Sequence, residues 1–128
     1  MLAKIKMSQI IDGKIIASSL RGDLSSEIIS LKEKYNKVPG LAVVQVGNVA
    51  ASSVYVKAKT KSALEVGIEV IDHHLEELTA EKELLDLVDK LNNQNNVNGI
   101  LVHFSAKHID DRDFRLISQI KMPMDFIL

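Results

Sequence analysis

From Ile16 to Tyr35 apolar side chains recur at spacings of three and four: Ile16, Leu20, Leu24, Ile28, Leu31 and Tyr35, with Ile15 and Ile29 widening the stripe. That period predicts a long amphipathic helix, entered at Asp12-Gly13 and ended near Asn36, ahead of Pro39-Gly40. The pattern then changes. Leu41 to Val46 (LAVVQV) is a short apolar, β-branched run bounded by Gly40 and Gly47, the signature of a strand buried on both faces. Gly47-Asn48 is predicted to turn into a second helix that buries Val54, Ala58 and Leu64 and stops at Gly67. Ile68 to His73 alternates in part and reads as a less buried strand. Thr79 is the expected cap of a third helix, with Glu81 in its first turn and Leu84, Leu85, Val88 and Leu91 as its apolar face. Asn92 to Asn96 is a polar stop, Gly99 to Val102 a third buried strand, and Asp110 to Ile117 a short helix.

Helices alternating with strands imply βαβ crossovers. The expected fold class is α/β: a three-layer αβα domain around a short, mostly parallel sheet of three to four strands. Ligands of such sheets bind outside the carboxyl ends of the strands. Those ends are Gly47-Asn48, His73-His74 and His103-Phe104. The first leads directly into Ser52, Tyr55 and Lys59, which share a helix face because they stand at i, i+3 and i+7. A hydroxyl, a phenol and an amine beside a strand end could form a catalytic row; a solvated basic face is the plainer alternative. Lysine titrates near 10.4, so acid/base work at neutral pH requires desolvation or a neighbouring cation. Lys57 and Lys61 lie about 200° around the helix from Lys59 and are expected to reach solvent.

Composition narrows the function classes. The 128 residues carry 16 basic and 17 acidic side chains, a net charge of −1, which offers no bulk attraction to nucleic acid or a membrane surface. The absence of cysteine removes disulfides, thiolate nucleophiles and cysteine-held zinc, and accords with a cytoplasmic protein. No apolar run approaches the roughly 18 residues of a membrane span, and the N-terminus MLAKIKMSQ lacks a secretory h-region. The six glycines never cluster into a dinucleotide or triphosphate cradle, and GxSxG is missing. His73, His74, His103 and His108 lack metal-binding spacing, so no metal is expected.

Ile10-Ile11-Asp12-Gly13-Lys14, the run PGLAVVQVGNVAASSVYVKAKTKSALEVGIE, then VNGILV and KHID together resemble the catalytic domain of the bifunctional methylenetetrahydrofolate dehydrogenase/methenyltetrahydrofolate cyclohydrolase family, over about residues 10–118. The resemblance implies a short extension at 1–9, the folate-type α/β domain at 10–120 and a tail at 121–128. It implies oxidation of 5,10-methylenetetrahydrofolate and hydrolysis of 5,10-methenyltetrahydrofolate to 10-formyltetrahydrofolate, in a cleft shared with a Rossmann domain that binds NADP or NAD. The family's YxxxK falls on Tyr55, which would lie along the folate ring, and on Lys59, the acid/base group of the cyclohydrolase step. The serine three residues before the tyrosine is Ser52.

Departures from the pattern shape the expectation. No Rossmann sequence follows, so no nicotinamide cofactor is expected on this chain and dehydrogenase activity is not expected from it alone. The family's QLPLP becomes His103-Phe104-Ser105-Ala106, one residue shorter, which puts His103 where a glutamine assists the lysine. A neutral His103 would hydrogen-bond Lys59, whereas a protonated one would repel it. KDVDGF becomes Lys121 to Phe126, which leaves Asp125 as the substrate-binding aspartate, one position out of register. Val49-Ala50 stands where the family often has Asp-Pro. Two readings stay open: weak cyclohydrolase activity through Lys59, or a non-catalytic module that binds folate or protein. The family's final helix, which packs on this domain, has no counterpart, so the expected partners besides a tetrahydrofolate derivative are a second copy or a separate Rossmann-domain chain.

Overall fold

The structure is a computed structural model. It describes residues 9–48 and 50–104, except the side chains of 51, 52 and 104. The expected helix at 110–117 and the tail with Asp125 lie outside the described residues.

Six elements follow in the predicted alternation: α1 (Gly13–Tyr35), β1 (Gly40–Val46), α2 (Ala50–Val66), β2 (Glu69–Leu75), α3 (Glu81–Asn92) and β3 (Gly99–Phe104). The strands form a parallel sheet in the order β2-β1-β3. The apolar run LAVVQV is therefore the central strand, and Ala42, Val43 and Val44 are fully buried. Alternation along β1 sends Ala42, Val44 and Val46 to one face, where they pack with Leu84, Val88 and Leu91 of α3. Val43 and Gln45 face the other way, toward α2. The outcome is the α/β sandwich read from the sequence, with helices on both faces of the sheet.

Local chemistry fixes the ends. Asp12 Oδ1 accepts from the backbone N–H groups of Lys14 (2.9 Å) and Ile15 (3.2 Å), capping α1. The helix ends where Asn36 turns left-handed (φ 53°) and its N–H donates to Lys32 O, with Lys32 and Lys34 in the last turn favouring the dipole. Asp12→Ala is expected to cost about 1 kcal/mol, seen as a lower urea midpoint at unchanged slope.

Four sequence expectations need correction. Gly99 to Val102, expected as a buried strand, is only half-buried, because β3 is an outer strand of the described sheet. The buried face of α2 is Val56, Ala63 and Val66; Val54 and Leu64 are exposed at 67% and 57%, and Ala58 is exposed too. Apolar residues run almost all the way round this helix, so the period did not single out the face. Thr79 is not the cap of α3. Ala80 holds that position without a side-chain bond, and the Thr79 N–H donates to Glu76 O in the preceding turn. The stripe of α1 is only partly covered. Ile28 alone is buried, against Gly67, while Leu20 is 63% exposed and Ile16 is about half exposed. α2 supports only part of α1, which leaves an apolar strip on the surface.

Candidate functional site

Parallel pairing places the carboxyl ends of all three strands along one edge, and α2 starts from that edge through Gly47 (φ 80°). The positive φ favours glycine, and its N–H donates to Leu75 O, joining the ends of β1 and β2. α2 then runs back over the sheet and carries the row across it.

Lys59 and His103 meet here: Lys59 Nζ lies 3.2 Å from His103 Nε2. β3 runs two residues beyond the predicted Val102, because His103 and Phe104 pair in register with Gln45 and Val46, and this extension carries His103 under α2. Tyr55, one turn before Lys59, holds its ring 6.0 Å from the same Nζ, at the outer limit of a cation–π contact. Tyr55 as a whole is 65% exposed, which leaves its side chain open to a flat ligand. Burial first, and the Lys59 charge second, hold His103 below its ordinary value of 6.5. The ring is therefore neutral at neutral pH. The Lys59 ammonium donates, unprotonated Nε2 accepts, and the ring proton belongs on Nδ1.

Nothing is described of the side chains of the other two expected residues. Ser52 lies in α2, but its side chain lies outside the described residues, as does Asp125. Lys59 is exposed, so the desolvating crevice anticipated for it is not built from the described residues.

The sequence reading missed a second polar cluster. Gln45 Nε2 donates to Ser53 Oγ (3.1 Å) and to Gly47 O (3.3 Å), and Ser53 Oγ donates to Asn48 Oδ1 (3.4 Å). These bonds tie the end of β1 to the first turns of α2, and so fix where the row begins. The available signal was the single polar residue inside LAVVQV. Register pairs Gln45 with His74 on one side and His103 on the other, which makes a polar band across the sheet beneath α2.

A cleft of about 640 Å³ opens on the other flank of α2, between that helix and β2; Gln45, Lys57, Thr60, Lys61 and His74 line it. Tyr55, Lys59 and His103 do not. The candidate site is the surface row over β3, and the larger cavity lies apart from it.

The bifunctional protein FolD of Pelagibacter ubique is 44% identical over 102 residues, covering 79% of this chain and 36% of the relative. FolD of Agathobacter rectalis is 46% identical over 107 residues, 82% of this chain and 38% of the relative. Among solved structures, a 5,10-methylenetetrahydrofolate dehydrogenase from the silkworm Bombyx mori superposes with a TM-score of 0.80 at 30% identity, over 90% of this chain and 39% of that one. The chain thus spans little more than a third of the length of these relatives. The profile of the tetrahydrofolate dehydrogenase/cyclohydrolase catalytic domain matches residues 11–125, so the chain belongs to that family.

Proposed function

We propose that this chain binds a reduced folate over Tyr55 and hydrolyses 5,10-methenyltetrahydrofolate slowly, with Lys59 moving the proton. The observation that carries this reading is the Lys59–His103 contact beside an exposed tyrosine, at the ligand-binding edge of a domain of this family. The methenyl carbon is electron-poor, and a water molecule adds to it. One proton of the water departs as it adds. The hydroxyl so formed then gives up its proton as the bond from that carbon to N5 breaks and N5 takes up a proton, which leaves the formyl group on N10 and one proton released overall. An amine poised over the ring serves the proton transfers in this sequence. A folate ring stacked on Tyr55 would cover Lys59 and exclude water from it, which the free protein does not do.

No hydride step belongs to this reading. A dinucleotide needs backbone N–H groups gathered at a glycine-rich turn. The turn after β1 offers one glycine, Gly47, and β2 is followed by Glu76 and Glu77, whose charge opposes a pyrophosphate. The described residues do not fit NAD or NADP.

The test is hydrolysis of 5,10-methenyltetrahydrofolate by the purified chain, followed by the loss of its absorbance. Slow, saturable turnover is expected. Tyr55→Ala is expected to raise KM about tenfold, the equivalent of one aromatic stacking contact of roughly 1–1.5 kcal/mol. Absence of both turnover and folate affinity would overturn the proposal.

The openness of the site favours a second reading, a binding module without turnover, which calorimetry would reveal as folate affinity with no hydrolysis. In either case the apolar strip of α1 suits a second copy or a separate Rossmann-domain chain as partner.

A further inference from the structure

We infer that His103 is a positioning residue which holds Lys59 over the reacting ring only while its imidazole is neutral, so that acid uncouples the pair. The inference rests on the folate reading for its consequence in turnover, but the pair itself is a property of the free protein.

The geometry constrains the chemistry. A lysine ammonium has three N–H donors and no acceptor, so its neighbour at 3.2 Å must accept. Neutral imidazole does so through Nε2. Imidazolium cannot, because both of its nitrogens donate, and two cations would then face each other at contact distance. An amide side chain at the same place would accept at every pH. An imidazole there instead makes the anchor conditional on pH.

Among the described residues the surroundings do not relieve this. α2 brings Lys59 itself and Tyr55, whose ring lies 6.0 Å from Lys59 Nζ. β1, alongside β3, brings Gln45, which carries no charge and whose amide is engaged with Ser53 and Gly47. The next strand across, β2, brings His74 in register with Gln45, and the Asp72 carboxylate, in register with Val43, lines the cleft on the far flank of α2, which His103 does not line. Among the described residues no carboxylate stands on β3's neighbour β1 or on the Tyr55–Lys59 row of α2 to stabilise imidazolium. Partial burial and the Lys59 charge favour the neutral ring as well, so the titration falls on the acid side of 6.5.

The sign for folding is the same. In the window between 6.5 and the lowered folded value, the unfolded chain binds more protons at His103 than the folded chain does. Stability therefore declines as pH falls through that window, and rates are to be compared only where circular dichroism shows intact fold.

Two measurements test the inference. First, the imidazole signals of His103 are titrated by NMR in the parent and in Lys59→Met, with no substrate present. Removing the Lys59 charge is expected to raise the His103 midpoint, yet leave it below its ordinary value because burial persists. An unchanged midpoint would overturn the coupling. Second, hydrolysis of 5,10-methenyltetrahydrofolate is followed against pH in the parent and in His103→Gln. Below the His103 midpoint the parent is expected to lose activity about tenfold per pH unit, while His103→Gln keeps its rate through the same range. An acid limb shared by both proteins would overturn the positioning role. If none of the proteins hydrolyses the substrate, the folate reading fails, and the NMR titration still decides whether the pair is coupled.

Discussion

Lys59→Met is expected to lower hydrolysis of 5,10-methenyltetrahydrofolate by about 10²- to 10⁴-fold, the usual contribution of a positioned acid/base group. Methionine keeps an unbranched, flexible stem and a comparable helix propensity, and removes only the amine. Lys59 is exposed, and its one described bond goes to His103, so the fold should change by no more than about 0.5 kcal/mol. Turnover and thermal melting measured on the same sample separate the two effects. A variant as active as the parent would remove Lys59 from the chemistry. Loss of activity with a matching loss of stability would mean the side chain is structural.

Gly40→Ala is expected to destabilise the domain by about 3 kcal/mol or more, the upper range for overpacking a rigid site. A Cβ at Gly40 would run into the backbone carbonyl oxygen of Asn96. That carbonyl has little room to retreat. Gly40 N donates to Asn98 Oδ1 (2.9 Å), Asn98 N donates to Gly40 O (2.8 Å), and Val97 N is tied to Gln94 O. The loop before β3 is thus buttoned onto the start of β1, and the added methyl has to separate them. Gly22 makes a matched control in the same chain. It sits in the middle of α1, with nothing within 4 Å of a Cβ placed there. Gly22→Ala should therefore stabilise by about 0.5–1 kcal/mol, through helix entropy alone. Urea titration of both variants should show midpoints that move in opposite directions. Equal shifts would sink this reading of Gly40.

The α/β class was legible because β1 is a short β-branched apolar run and α3 has one clear helical period. LAVVQV between two glycines permits only a buried strand, and Leu84, Val88 and Leu91 define one helix face that the structure buries. α2 was harder to orient. Val54, Val56, Ala58, Ala63, Leu64 and Val66 spread around its circumference, so only tertiary packing selects Val56, Ala63 and Val66. For the site, helical spacing set Tyr55 and Lys59 on one face, and the resemblance named their partner as His103. What the sequence withheld was the neighbouring serine. Ser53 bonds to Gln45, and it does so because the end of β1 comes within reach of its hydroxyl. Hydrogen bonds between separate elements depend on register, and periodicity along one element carries no record of it.

The Lys59–His103 contact joins residues 44 positions apart, across a sheet whose strands are added out of chain order. β1 and β2 can pair through α2 as a local crossover, whereas β3 reaches β1 only after α3 has been traversed. Such long-range closure is entropically costly and comes late in folding. Among the described residues β2 and β3 each pair with β1 alone, and β3 is the one of these two edges that closes over the longer stretch of chain and can open locally. Chemistry at this site would then report on the last step of assembly: a molecule that has lost only its β3 edge keeps much of its structure but no longer has a site.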